Sequence, residues 1–202
     1  LVLFRILPKE LASEVFVEMD TDMQKDLITA FSDKELKEVM NDIYMDDAVD
    51  IIDEMPASVV KRVLKNTDPN TRNLINQFLQ YKEDSAGSMM TIEFVDLKKQ
   101  MTVKEAFEHI RKTGVDKETI YTCYVTSKSR KLQGVLSVKD LLLANYEDVV
   151  GDIMDTNVIS VHTDDDKEEV VNSLSKYNFL ALPVVDKESR LVGIVTIDDA
   201  ID

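Results

Sequence analysis

Cysteine, tryptophan, glycine and proline are scarce in this sequence. Its 202 residues include one cysteine, no tryptophan, five glycines and four prolines. A single cysteine excludes an internal disulfide framework and is typical of a reducing compartment. The sequence also lacks an apolar run of about 18 residues, a signal-peptide pattern and a glycine-rich phosphate loop. It begins at Leu1 rather than Met and stops within an acidic helical pattern, so we interpret it as part of a longer protein.

Basic residues are outnumbered, with 24 Lys and Arg against 39 Asp and Glu and a net charge of −15. Nucleic acid is therefore an unfavourable partner, because a phosphate backbone requires a basic face. The acidic excess lies in residues 1–84 and 150–202, whereas residues 85–149 are nearly neutral. Two explanations remain open. The acids make the protein soluble, or the two acidic blocks face each other and need cations between them.

Catalytic and zinc-binding patterns are missing as well. His109, His162 and Cys123 do not form a zinc set with the usual spacing. The Asp and Glu pairs do not occur in a recognisable catalytic frame, and the nine methionines fall mostly at apolar helix positions. The sequence therefore predicts a protein that is not an enzyme.

A 12-residue apolar repeat marks the first third of the chain. Residues 5–65 repeat an apolar residue at this spacing, and helix-start residues lie between the repeats. About eight helical residues fit in each repeat, and helices this short must stack to be stable. The sequence predicts a superhelix of short helices that residues 67–80 extend. The repeating residues are Leu7, Met19, Phe31, Ile43 and Met55, and the helix-start residues are Pro8, Asp20, Ser32 and Pro56.

A longer duplication marks the rest of the chain. Residues 132–140 and 191–199 each read as a glycine-containing turn, a short apolar strand and a Ser/Thr-x-x-Asp helix start. Upstream residues match at an offset of 64 and these two segments at an offset of 59, so the first copy has five additional residues, which we place within 111–120. We predict two β-α-β-β-α units.

The predicted elements define four parts of the chain. The helical superhelix takes residues 1–80, a connector residues 81–93, and the two units residues 94–150 and 151–202. In the first unit the elements are 94–97, 103–112, 121–126, 132–137 and 138–144. In the second unit they are 158–161, 167–176, 180–185, 191–195 and 197–201.

Carboxylates are grouped at three places. Asp46 and Asp50 are one helical turn apart, and further groups occupy residues 164–169 and 198–202. Solvated helix caps explain such groups, because acids are favourable at helix N-termini. Hard cations such as Mg²⁺ are the alternative, because Mg²⁺ binds oxygen ligands and usually uses one or two carboxylates. Spacing alone favours the solvated caps.

Two segments carry a resemblance to known families. Residues 180–199, LALPVVDKESRLVGIVTIDD, resemble the CBS module, which is used in pairs. Residues 81–91, YKEDSAGSMMT, and Glu118–Tyr121 extend the resemblance to the cytosolic region of MgtE-type magnesium transporters, over nearly the whole chain. The resemblance implies an α+β fold, with a right-handed superhelix of short α-helices followed by a tandem CBS pair. It also implies a homodimer at the cytoplasmic face of the cell membrane, attached to a membrane pore.

The same resemblance implies a Mg²⁺-sensing role. The family holds regulatory magnesium between the helical domain, the second CBS unit and a connecting helix that this sequence lacks. Bound Mg²⁺ is expected to favour a compact, pore-closed state. Asn178 stands where the family often has an acid, which weakens that position as a ligand. The implied metal ligands are Glu14, Asp46, Asp50, Asp166, Glu168, Asp199 and Asp202.

An adenine nucleotide such as ATP is a second expected ligand. In CBS pairs the Asp of Ser/Thr-x-x-Asp often binds ribose hydroxyls, which points to Ser137 and Asp140 in the first unit and Thr196 in the second. A helix cap explains the same residues without any ligand. Two rival functions remain open: an adenine-nucleotide sensor of another transporter or enzyme, and an interaction scaffold without a ligand.

Overall fold

The computed structural model describes residues 4–201, apart from the side chains of Arg5, Lys9 and Glu10. The chain forms two compact units, one ending at Gln80 and the other starting at Tyr81. The first unit is helical, and the second contains two three-stranded sheets with helices. The predicted α+β class is confirmed.

Six short helices follow one another in the helical unit. Each helix begins about 12 residues after the one before, because a capping or proline residue recurs at that interval. Asp20, Ser32 and Asp68 accept hydrogen bonds from first-turn amides, and Pro8 and Pro56 precede α1 and α5. The helices are α1 (Lys9–Val17), α2 (Thr21–Ala30), α3 (Asp33–Asp42), α4 (Met45–Asp53), α5 (Ala57–Asn66) and α6 (Pro69–Phe78).

Aromatic and aliphatic side chains fill the interior of this unit. The rings of Phe4, Phe16 and Phe31 have centroids 5.3 to 6.3 Å apart. Arg62 on α5 donates to the carbonyls of Ile28 and Phe31, so its guanidinium holds the turn between α2 and α3. The last carbonyls of a helix have no partners within the helix, and a cationic side chain satisfies them by donating hydrogen bonds.

The second unit consists of two copies of one pattern. Each copy contains a short lead-in helix, a strand, a longer helix, a two-stranded hairpin and a final helix. The first copy has α7 (Ala86–Met89), β1 (Val95–Lys98), α8 (Val103–Thr113), β2 (Thr122–Thr126), β3 (Leu132–Ser137) and α9 (Val138–Leu143). The second has α10 (Val150–Ile153), β4 (Val161–His162), α11 (Lys167–Tyr177), β5 (Ala181–Val185), β6 (Leu191–Thr196) and α12 (Ile197–Ile201).

The two sheets share topology and register. The order is β1-β2-β3 in one and β4-β5-β6 in the other, with the first pair parallel and the second antiparallel. The longer helix provides the crossover that a parallel pair requires. A register shift occurs at Val125/Thr126 and again at Val184/Val185, 59 residues later. The predicted duplication therefore extends to an irregularity of the hairpin.

The lead-in segments cross between the two copies. Thr91 and Ile194 exchange backbone hydrogen bonds of 2.8 and 2.9 Å, and Asp155 and Val135 exchange a pair of 2.8 and 2.9 Å. Each copy's lead-in thus pairs with the last strand of the other copy. A shared apolar cluster that includes Phe94, Tyr124 and Ile194 packs the copies together. The exchange joins the two copies within one compact unit.

Two local features differ from the prediction. The strand expected at 158–161 is reduced to Val161–His162, the two residues that pair with Val184 and Val185 of β5. The lead-in helices α7 and α10, 64 residues apart, were not predicted. The five additional residues of the first copy lie in the connection between α8 and β2, which contains a 3₁₀ turn at Gly114–Asp116, inside the predicted interval.

Candidate metal and nucleotide sites

Ser137 and Asp140 form a reciprocal cap at the start of α9. The Ser137 hydroxyl oxygen accepts the Asp140 amide at 3.1 Å. The Asp140 carboxylate in turn accepts the Ser137 amide at 2.7 Å and the Ser137 hydroxyl at 2.6 Å. Both hydrogen bonds reach one carboxylate oxygen, Oδ2, while the side chain is exposed. The cap holds the carboxylate in a fixed position before any ligand arrives.

Thr196 and Asp199 occupy the equivalent place before and within α12. The buried Thr196 hydroxyl donates to the half-buried Asp199 carboxylate. Asp199 was predicted as a metal ligand and also belongs to the Ser/Thr-x-x-Asp pattern, so one carboxylate is available to two kinds of ligand. The preceding Asp198 is exposed, which makes this helix start more acidic than that of α9, where Lys139 stands.

The candidate metal ligands of the helical unit lie on two helices. Glu14 is exposed on α1. Asp46 and Asp50 lie one turn apart on α4, with Asp46 in the first turn and only 8% exposed, and Asp50 exposed. A buried carboxylate at a helix N-terminus is favoured by the helix dipole, and an exposed one keeps its hydration. Both have the oxygen donors that Mg²⁺ requires.

In the second copy, Asp166 and Glu168 lie at the start of α11. Asp166 caps the helix by accepting the Glu168 amide at 3.0 Å, and both side chains are exposed. They line a surface cavity of about 540 Å³, together with Lys167 and Asn172. Asp202, the last predicted ligand, lies outside the described residues.

Asp84 also lines this cavity, and sequence reasoning missed it. Its backbone is left-handed, with φ of 56°, and its carbonyl accepts the Lys167 amide at 2.8 Å. The residue lies in a segment that reads as a connector, so only its place in the YKED motif could have suggested it. Among residues 4–201, no group of three or more His, Cys, Asp and Glu side chains is arranged to hold a metal ion.

Asn178, where the resemblance implies that an acid is common, has a structural role at the end of α11. It is the C-cap of α11, with φ of 53° and ψ of 44°, and its amide bonds to carbonyls of the last turn. Asparagine tolerates this left-handed conformation better than most residues with a side chain. Asparagine at this position therefore stabilises the C-terminal end of α11.

Comparison with known families accounts for almost the whole chain. Residues 1–84 match the model of the MgtE intracellular N domain, and residues 86–147 and 150–202 match the CBS domain. The magnesium transporter MgtE of Thermus thermophilus is 38% identical over 205 aligned residues, which cover 100% of this chain and 45% of that protein. The chain belongs to the MgtE family.

Two solved structures have the same fold. The cytosolic domain of the Mg²⁺ channel MgtE in complex with ATP matches with a TM-score of 0.92 and 38% identity, covering 100% of this chain and 82% of that one. The soluble part of a magnesium transporter matches with a TM-score of 0.93 and 32% identity, covering 99% and 79%. The fold of the MgtE cytosolic region is therefore confirmed.

The match covers only part of each curated relative. The chain spans less than half the length of the MgtE transporters of Thermus thermophilus and Bacillus subtilis, at 45% and 42%. The matched region is the cytosolic part of a transporter, made of N and CBS domains, and it is not an enzyme. Within residues 4–201, no helix has the length and apolar character needed to cross a membrane.

Proposed function

We propose that this chain is the Mg²⁺-sensing cytosolic region of a magnesium transporter, at the cytoplasmic face of the cell membrane. Mg²⁺ bound between the acidic helical unit and the second CBS copy would favour a compact, pore-closed state. The observation that carries the proposal is the match to MgtE over the whole of this chain, which includes both the helical unit and the CBS pair. The attached pore lies outside this sequence.

Electrostatics supplies the mechanism. The helical unit and the second CBS copy both carry an excess of acids, so without cations they repel each other. Mg²⁺ keeps several waters and needs only one or two carboxylates, so each unit can supply part of a shared site. The ion shifts the equilibrium by its greater affinity for the compact state. The proposed ligands are Glu14, Asp46, Asp50, Asp166, Glu168, Asp199 and Asp202.

An adenine nucleotide is the proposed second ligand. A relative with 38% identity has been solved in complex with ATP. In this chain the capped Asp140 carboxylate would accept ribose hydroxyls, and the exposed Lys139 would meet phosphates. Thr196 would serve the equivalent place in the second copy. The match to MgtE over the whole of this chain favours a nucleotide site within a magnesium transporter over a nucleotide sensor of another protein or a scaffold without ligands.

Homodimerisation is part of the proposal, and burial separates the apolar residues that could support it from those that could not. Four apolar residues on the helices of the CBS copies are buried: Ile110, Leu141, Leu174 and Ala200. Their helices pack on their own sheets through these positions. Other apolar side chains are exposed to solvent, and exposed apolar surface is typical of a protein–protein interface. These are Leu142, Leu143, Tyr146, Leu180 and Ile201.

Two calorimetric titrations test the assignment. MgCl₂ in buffer of matched ionic strength should give a saturable binding isotherm, and ATP without magnesium should bind separately. D140N should weaken ATP binding and leave the Mg²⁺ isotherm unchanged, because the amide retains the cap but loses the charge. Binding of ATP alone would favour the nucleotide-sensor reading, and binding of neither would favour the scaffold.

A further inference from the structure

The helical unit contains a surface cavity of about 680 Å³ that the proposed magnesium and nucleotide sites do not use. It lies between the end of α4 and the helices α5 and α6. Its walls are apolar and include Ile52, Met55, Val60, Leu64 and Leu79. A volume of this size lies in the range of small-molecule sites, which are mostly apolar with a few placed polar groups.

The charged side chains of this cavity are mainly cations. Lys61, Lys65 and Arg72 line it against one acid, Asp53. Lys61 and Lys65 lie one turn apart on α5, both exposed, so their ammonium groups share one face of the helix. Within the described part of the chain, neither lysine takes part in an ion pair. The cavity is thus cationic in a unit with an excess of acids.

Arg72 supplies a further donor. One guanidinium nitrogen, Nη2, donates to the Thr67 carbonyl at 2.9 Å, which fixes the side chain against the end of α5. Its buried Nε has no hydrogen-bond acceptor among the described residues. A buried donor without an acceptor is unfavourable, and an anion in the adjoining cavity would offset the uncompensated guanidinium charge.

We propose that this cavity binds an amphipathic carboxylate, a molecule with an apolar chain and one anionic head. The apolar chain would lie along Leu64 and Leu79, and the head would lie between the cations. Charge complementarity selects an anion, because the three cations lack carboxylate partners. The apolar walls select a ligand with a chain, because a small hydrated anion would leave them exposed to water.

Titration with dodecanoate below its micelle concentration tests the proposal, with acetate and dodecyltrimethylammonium as matched ligands. Calorimetry should show one dodecanoate per chain and no binding of the other two. Replacing two ammonium groups in the double variant K61Q/K65Q should weaken dodecanoate binding about tenfold. The control K25Q/K37Q removes two exposed lysines outside the cavity and should bind dodecanoate like the original chain.

Four results would overturn the proposal. Equal binding of acetate would make this a simple anion site, and equal binding of dodecyltrimethylammonium would make it a purely apolar one. Equal loss in both double variants would mean non-specific adsorption. Binding of an acidic amphipathic peptide, such as a synthetic peptide of residues 33–42, without binding of dodecanoate would assign the cavity to a polypeptide. Circular dichroism of the exposed-lysine variants verifies that they fold.

Discussion

Gly193 on β6 lies directly against Met90, so that a Cβ atom at Gly193 would stand 2.6 Å from the Met90 sulfur. It would also stand 2.8 Å from the Thr91 carbonyl oxygen, which is backbone and cannot rotate away. Gly134 and Met154 repeat this relationship in the other copy, at 2.5 Å from the sulfur. Each glycine leaves room for the lead-in segment of the opposite copy, so the repeated glycine maintains the exchange between the two CBS copies.

The variant G193A should therefore destabilise the CBS pair by about 1–3 kcal/mol, because added volume in a close-packed contact forces the backbone to shift. Urea denaturation monitored by circular dichroism measures the change. G114A is the matched control. Gly114 has φ of −68°, which any residue adopts, and its nearest neighbour is a side-chain methyl carbon at 3.1 Å. An equal loss in both variants would contradict the role of the close approach.

Tyr124 is a second buried feature with a testable cost. The side chain is fully buried between the two copies, and its hydroxyl has no hydrogen-bond partner among the described residues. Burial raises the pKa of this phenol above its ordinary value. Y124F should be neutral or stabilise the unit by up to about 1 kcal/mol, because it removes a polar group without a partner.

Thermal unfolding of Y124F measures this change in stability. Y121F is the control, because Tyr121 is 68% exposed and its substitution should leave the melting temperature unchanged. A marked destabilisation of Y124F with an unaltered Y121F would show that the buried hydroxyl does contribute a hydrogen bond.

Alkaline pH should weaken the fold through Cys123. Burial raises the pKa of this thiol from 9.0 to about 12. The unfolded chain therefore loses the thiol proton at lower pH than the folded chain, so stability is complete below pH 9.0 and declines as the pH rises toward 12. The slope from one such group approaches about 1.4 kcal/mol per pH unit.

Urea midpoints of the original chain and of C123A, measured from pH 7 to about pH 11, should show a shallower decline in the variant. The absolute stability of C123A also falls through lost packing, so the comparison rests on the pH dependence. Parallel curves for the two proteins would mean that the thiol titrates normally in the fold.

Much of the fold follows from local signals in the sequence. Ser32 and Asp68 mark their helices because their side chains cap free amides, a preference that depends on few neighbours. Leu132–Ser137 and Ile197–Ile201 begin and end as predicted, because the duplication fixes one copy by the other. The match to the MgtE family confirms the resemblance drawn from the connector and CBS motifs.

What the sequence did not show depends on contacts between distant residues. The lead-in helix α7 forms where Ala86 and Gly87 donate to the carbonyls of Asp165 and Thr163, and those carbonyls lie about 80 residues further along the chain. Burial of Ile110 and Leu174 likewise depends on which helix face meets the sheet. The candidate metal ligands stay a prediction, because a shared site depends on how separate units meet.

Interdomain bridging by Mg²⁺ should depend on particular carboxylates. D46N together with D199N should weaken Mg²⁺-induced compaction, since each variant removes a charge from one of the two acidic units and keeps the side-chain shape. The matched control, E83Q with E147Q, lowers the net charge equally at positions outside the proposed site. If both double variants compact like the original chain, or lose compaction equally, general screening explains the effect and the ligand assignment is wrong.

Small-angle X-ray scattering with and without millimolar Mg²⁺, at matched ionic strength, tests the central claim most directly. Sedimentation under both conditions separates a change of shape from a change of mass, with a dimer expected in each. The account predicts a smaller radius of gyration with Mg²⁺ and a rise in melting temperature, because an ion bound only to the compact form adds about 2.7 kcal/mol at one hundred times its dissociation constant. An unchanged radius together with an unchanged melting temperature would contradict the account.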